Sequence, residues 1–543
     1  MRGCPVLFAV LVALGLLTPL PSHAAPPSKT RLVVVVVVDQ LRGEDLELFA
    51  PLLGANGLGG LGKKGELVEG RYLTANTETA PGHATLSTGT YSHEHGVVNN
   101  TVMTVAGPRM AVADQNHPVW GNPNTADGRS PLMLRVPTVG DQLKLSTGGK
   151  ARVVAVAGKD RSAILTGGYA ADVAVWFDTA QLAFVSSSYY APAPPAWLDT
   201  FNAAHPAASH NQWRWELALP AERYAPYARP DVSPGESARL GLPNTFPKVL
   251  DPAVVPQGRL GAALRMTPRL DALTLDLALA AVDGLELGRD DVPDLLWVGL
   301  SAYDLIGHAY GPYALERADA LVRLSSALKA FVEALEKRVG AGRLSLVLTA
   351  DHGVTPIPED SAALRIPSGR VHAEQVSTVM DGVLDRAVAP RDWVKLVSPP
   401  HVWLDAPPQA PLTCDMVDRA ARAALELPSV ARAVATCRLE LMSGDTWDMF
   451  KRAHDPQRGG QIMVELRPGF VWEDTYEVLG TDHGSTWVHD QRVPVLVVSP
   501  SHRMTSAAKE APGDMRQVAP TISTLLGIPP PPAGRQAPLV QKR

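Results

Sequence analysis

Leu32-Val33-Val34-Val35-Val36-Val37-Val38-Asp39 decides the fold of this chain. One leucine and six β-branched valines in succession favour extended backbone and leave no polar face. A strand that is apolar on both faces belongs inside a sheet covered on both sides, as parallel sheets are. The run then stops at a carboxylate. Three further segments repeat the pattern: Arg152 to Ala157 leads into Gly158-Lys159-Asp160-Arg161, Asp294 to Leu300 precedes Ser301-Ala302-Tyr303-Asp304, and Leu344 to Thr349 precedes Asp351-His352-Gly353. Helical patterns lie between them, at Thr138 to Leu145, Leu270 to Val282 and Ala314 to Val339. The alternation predicts an α/β fold with a mostly parallel central sheet flanked by helices. Such sheets bind ligands beyond the carboxyl ends of their strands, and all four polar clusters sit there.

Two stretches depart from that rhythm. Residues 172–265 are rich in Pro, Trp, Tyr and Ala, and residues 357–478 carry a helical pattern of their own near Met416 to Leu425. Both read as insertions that cap the site, leaving a catalytic core of residues 25–171, 266–356 and 479–543. Residues 1–24 read as a cleaved export signal: Arg2, the apolar run Val6 to Leu17, then Ser22-His23-Ala24 before Ala25. Such a signal predicts a secreted or periplasmic protein, and no later segment has the length of a membrane span. Without the signal, two of the three cysteines remain. Cys414 and Cys437 either close a disulfide across a modest loop or stay as two buried thiols. The formal net charge of -5 is unclustered, which excludes the basic stripe of a nucleic-acid binder.

Six side chains form a mixed oxygen and nitrogen donor set suited to a metal such as zinc. Asp304 and His308, four apart, share one face of a helical turn; Asp351 and His352 are adjacent at a strand end; Asp39 closes the first strand; His483 lies in Gly480-Thr481-Asp482-His483-Gly484. Each piece alone is weak, since an Asp-x-x-x-His pair is common by chance and a strand-end aspartate often caps the next helix. Their shared placement at strand ends is what lifts them. His83, His93 and His95 read as local packing or hydrogen bonding.

Thr77-Glu78-Thr79-Ala80-Pro81-Gly82-His83 precedes a helical stretch from Ala84 to Tyr91. A hydroxyl at that point meets the free N–H groups of a helix N-terminus, which favour a bound anion. Local sequence allows a nucleophile or a simple helix cap equally.

The combination of motifs resembles the alkaline phosphatase superfamily, and within it the threonine-dependent branch of phosphate-irrepressible bacterial alkaline phosphatases and nucleotide pyrophosphatase/phosphodiesterases. The resemblance rests on Thr79-Ala80-Pro81-Gly82-His83, Ser87-Thr88-Gly89, His95-Gly96-Val97-Val98-Asn99-Asn100, Ala350-Asp351-His352-Gly353, Asp482-His483-Gly484 and the closing Val518-Ala519-Pro520-Thr521. It implies two zinc ions, one held by Asp304, His308 and His483, the other by Asp39, Asp351 and His352 in contact with Thr79. It implies Thr79 as the nucleophile, forming a phosphothreonine, and Asn100 as an amide donor to a phosphoryl oxygen. Lys159 and Arg161, two apart on an extended chain after a strand, resemble the lysine-x-arginine feature of the monoesterases. The expected substrates are small phosphate monoesters; the alternative is a phosphodiesterase or nucleotide pyrophosphatase on the same two-zinc core.

Overall fold

The computed structural model describes residues 30–54, 57–122, 124, 126–406, 411–473 and 479–543. The export signal expected over residues 1–24 lies outside them.

A nine-stranded sheet runs through the molecule in the order Gly513–Asp514, Glu66–Arg71, Arg492–Val498, Leu344–Thr349, Leu32–Val38, Asp294–Leu300, Val153–Ala157, Val173–Asp178 and Ala183–Val185. The four strands expected from the sequence are its four adjacent central members, and all are parallel. Leu32 pairs with both Asp294 and Leu344, and Val36 with both Val298 and Leu348, so one register carries through the centre. Every residue of Leu32–Val38 is at most 1% exposed. Each fully buried Val contributes about 1.5–3 kcal/mol relative to exposure, which fixes this strand as the axis of the core.

Helices cover both faces. The helix Pro268–Gly284 starts with a proline at a position whose missing N–H costs nothing, and Leu315–Val339 lies beside it. Thr138 caps the helix Val139–Ser146: its hydroxyl accepts the Asp141 N–H at 3.2 Å while the Asp141 carboxylate accepts the Thr138 N–H at 2.7 Å.

One boundary needs correction. The strands Val173–Asp178 and Ala183–Val185 fall in the segment read as the first insertion, yet they complete one edge of the main sheet. Only Ala183–Val185 is an edge strand; Val173–Asp178 is an apolar run paired on both sides. Residues 357–478 contain a separate four-stranded sheet of Val394–Ser398, His401–Leu404, Ile462–Leu466 and Val430–Ala435. It is backed by the helices Ala373–Ala387 and Cys414–Ala424, with Val376, Met380, Trp393 and Ile462 in its own core. Cys414 and Cys437 are joined as a disulfide within this unit. No helix among the described residues is long and apolar enough to cross a membrane.

Candidate active site

Because the four central strands are parallel and in register, the residues that follow them gather on one edge of the sheet. Asp39 follows the first strand directly, Lys159 caps the helix Asp160–Gly167, Asp304 stands in the first turn of Ala302–Tyr310, and Asp351 ends the Leu344–Thr349 segment. All four are 2% exposed or less.

Two clusters of metal-ligating atoms result. In the first, Nε2 of His308 lies 3.3 Å from Asp304 Oδ1, one helical turn away, and Nε2 of His483 lies 3.7 Å from the same oxygen. The second groups Asp39, His83 and Asp351, with His83 Nε2 3.4 Å from Asp39 Oδ1 and His83 Nδ1 3.3 Å from Asp351 Oδ2. His352, expected in that second group, places its Nε2 3.3 Å from Asp351 Oδ2 and stacks on His483 at 3.6 Å.

The histidines are oriented as metal ligands are. His308, His352 and His483 each turn Nδ1 to a backbone carbonyl, of Thr481, Gly353 and Thr77 respectively, at 2.8–2.9 Å. That bond fixes the tautomer and presents Nε2 to the carboxylates. Burial, followed by the neighbouring His352 and His308, holds His483 well below the usual imidazole range, so its ring is neutral and its lone pair available. Burial opposes ionisation of Asp304, but Lys159 and then His308 outweigh it and hold this carboxyl well below the usual carboxylate range. Asp39 Oδ1, Asp351 Oδ2, His83 Nε2 and His352 Nε2 are buried without a hydrogen-bond partner, and Asp39 Oδ2 has only its ion pair with Lys159. Buried polar atoms are nearly always satisfied, and a carboxylate and imidazole set left in this state fits a cation as the missing partner.

Thr79 stands between the clusters as the first residue of the helix Thr79–Thr88. The helix begins five residues earlier than the sequence pattern placed it. Pro81 is tolerated because the first turn has no use for its N–H. Gly82 brings the helix onto the sheet: a Cβ there would sit 2.4 Å from the Asp351 carbonyl oxygen. Lys159 Nζ ties the parts together, at 2.6 Å from Asp304 Oδ2, 3.1 Å from Asp39 Oδ2 and 3.3 Å from Thr79 Oγ1. Asn100 Oδ1 accepts the Ala80 N–H at 2.9 Å, which leaves its Nδ2 as the end able to donate.

Lys159 and Arg161 do not lie on an extended chain. The strand ends at Ala157 and a helix begins at Asp160, so Arg161 belongs to its first turn. Arg161 nevertheless lines the same cavity of about 210 Å³ as Asp304, His308, Arg370 and Trp472. Both inserted segments reach this cavity's wall: Arg239 donates to the Leu479 carbonyl at 2.8 Å and Arg370 to the Gly480 carbonyl at 2.8 Å.

Three supporting residues receive no metal or site role from the sequence reading. His83 read as local packing, and it does bond the Thr79 carbonyl at 2.9 Å, but it also sits inside the second cluster. Gln40 bridges the clusters: its N–H donates to Asp351 Oδ1 at 3.0 Å and its Nε2 to Asp304 Oδ1 at 2.7 Å. Asp490 accepts from the Ser485 N–H and hydroxyl and from Thr355, pinning the loop that carries His483. An aspartate 135 positions beyond Thr355 has no local pattern to betray it. His95 bonds locally, accepting the Val97 N–H, whereas His93 bonds the Arg452 carbonyl 359 positions away.

A parallel sheet with two carboxylate–imidazole clusters and a helix-borne hydroxyl at its carboxyl edge defines an alkaline phosphatase-like α/β protein. The chain belongs to the Type I phosphodiesterase / nucleotide pyrophosphatase family, whose model matches residues 33–486. It is 28% identical to the alkaline phosphatase PafA of Elizabethkingia meningoseptica over 96% of both chains. It is equally identical to the alkaline phosphatase PhoV of Synechococcus elongatus, over 93% of this chain and 91% of that one. The crystal structure of PafA superposes with a TM-score of 0.86 at 27% identity, covering 95% of this chain and 99% of the other.

Proposed function

We propose that the protein is a zinc-dependent phosphate monoester hydrolase, exported to the periplasm or beyond, that works through a phosphothreonine on Thr79. The observation that carries this reading is the position of Lys159, a fixed buried cation 3.3 Å from the Thr79 hydroxyl. A monoester dianion concentrates more charge on its free oxygens than a diester, so a monoesterase needs added positive charge where the phosphoryl group is transferred. The alkaline phosphatase relatives support the same class of substrate.

Asp304, His308 and His483 would hold one zinc ion, and Asp39, Asp351 and His352 the other, with His83 buttressing both carboxylates of the second group. Bound zinc would supply Lewis acidity, favouring the threonine alkoxide and balancing charge on the departing oxygen. Thr79 Oγ1 attacks phosphorus, the bond to the ester oxygen breaks, and the alcohol departs. Water then attacks the phosphothreonine from the vacated side, releasing phosphate and restoring the hydroxyl. Asn100 Nδ2 and Lys159 steady the transferred oxygens, and Arg161 adds charge from the cavity wall. Apart from the sheet strands Val173–Asp178 and Ala183–Val185, the segments 172–265 and 357–478 cap the site through Arg239 and Arg370.

The test compares kcat/KM for a phosphate monoester and a matched diester. The wild-type chain prefers the monoester, and Lys159→Ala lowers monoester turnover by about 10²–10³, the scale of one lost transition-state donor, with a much smaller effect on the diester. Equal losses on both substrates, or a wild-type preference for diesters, would overturn the assignment.

A further inference from the structure

Beside the candidate active site lies a second, larger cavity of about 700 Å³, within the usual range for a small-molecule site. It shares Leu305 and Leu479 with the candidate catalytic cavity, so the two lie side by side at the residue that follows Asp304. Three arginines line it: Arg239, Arg259 and Arg265. Its other walls are mixed, with Leu240 and Met266 beside Ser237 and Asn244.

Arg265 ends the helix Leu260–Arg265, and its Nε is buried with no hydrogen-bond partner. Among the described residues its guanidinium takes part in no ion pair. Burial first, and the Arg161 guanidinium next, work against its charge, and the Asp160 and Asp304 carboxylates offset only part of that. A desolvated cation beside a second cation is costly unless an anion joins them. Arg239 is fixed at the shared rim by bonds to Ser237 Oγ at 3.0 Å and to the Leu479 carbonyl. The lining carboxylate, Glu236, offers Arg265 no competition, since it is engaged by Arg229 at 3.1 Å and by the Ser233 N–H at 3.2 Å.

We propose that this cavity is a leaving-group subsite for phosphate monoesters whose alcohol carries a second anion, a carboxylate or a phosphate, received by Arg265 with Arg259 and Arg239 at its sides. The subsite rests on the monoesterase reading for its substrate. The phosphoryl group occupies the Thr79 end, the carbon skeleton passes Leu305, and the distal anion pairs with Arg265. An arginine fork suits both candidate anions geometrically.

The experiment uses the zinc-loaded full chain and three esters: phenyl phosphate, 4-carboxyphenyl phosphate and 1,4-phenylene bisphosphate. In Arg265→Gln, kcat/KM for the anionic esters relative to phenyl phosphate falls roughly 10- to 100-fold, as expected for one charge-assisted hydrogen bond. Phenyl phosphate itself changes by no more than about 2-fold. Arg265→Lys, which keeps the charge and loses the fork, falls between. A drop confined to one anion supports the subsite and names its ligand. An unchanged ratio, or an equal loss on all three esters, overturns it. Should the wild-type chain hydrolyse none of them, the monoesterase reading fails, and the subsite is read from calorimetric Kd values on Thr79→Ala protein. There the carboxylated ester binds more tightly than phenyl phosphate only while Arg265 is present; equal Kd values with and without Arg265 overturn the subsite.

Discussion

Gln40 occupies a backbone position with φ of 68°, a region that residues other than glycine enter uncommonly. The turn lets one residue serve both carboxylate clusters, through its N–H to Asp351 and its side-chain amide to Asp304. Arg317 holds Gln40 in place, donating to its Oε1 at 2.7 Å and to its carbonyl at 2.6 Å. The neighbouring helix allows for it: a Cβ on Gly307 would lie 1.8 Å from Gln40 Oε1. Groups that orient metal ligands typically control affinity by 10- to 100-fold. Gln40→Leu is therefore expected to weaken metal binding by about that factor, measured by chelator competition, with the fold retained. Metal affinity equal to wild type would show that Gln40 is a spectator.

At the scale of elements, strand ends and helix starts do most of the positioning. The four central strands matched their apolar runs because unbroken β-branched sequence has few other uses. The helix Thr79–Thr88 starts before the apolar pattern does because Pro81 and Gly82 look like loop residues; its first turn forgives the one and the approach to Asp351 requires the other. The smaller sheet of residues 357–478 has a modest core, and its disulfide links the helix Cys414–Ala424 to the turn Thr436–Leu441. Closing a loop of 23-residue separation stabilises by about 3 kcal/mol on the chain-entropy account. Cys414→Ala/Cys437→Ala should lower the free energy of unfolding in denaturant by that order, with kcat/KM at 25 °C preserved because neither cysteine lines the catalytic cavity. An unfolding curve identical to wild type would deny the bond a stabilising role.

Across the whole molecule, the edge of the sheet opposite the site shows how burial shapes pH dependence. Asp294 begins its strand there and accepts the N–H groups of Arg152 at 2.6 Å and Gly288 at 2.7 Å. Burial outweighs these bonds and pushes its carboxyl from 3.8 up to about 6. Between those values the folded chain keeps a proton that the unfolded chain has released. Stability from this group is therefore lost as pH rises from about 4 to 6 and is level outside that window. Tm measured from pH 4 to 7, with chelator present throughout, should show the wild-type advantage over Asp294→Asn shrinking across the window. Parallel profiles would exclude Asp294 as the titrating group.

The sequence by itself determined the α/β class, the four central strands, and the polar residues at their ends. Those properties are local: β-branched runs declare buried strands, and a run that ends declares where its loop begins. Only the tertiary structure decided which side chains meet. His83 is four residues from Thr79 yet shares a cluster with Asp39 and Asp351, and Gln40 reaches Asp304 across 264 positions. The pairing of Cys414 with Cys437 was likewise settled by neighbours apart in the chain. The physical reason is that strand order in a parallel sheet follows from crossover packing rather than from any local run, and strand order alone sets which loop ends face one another.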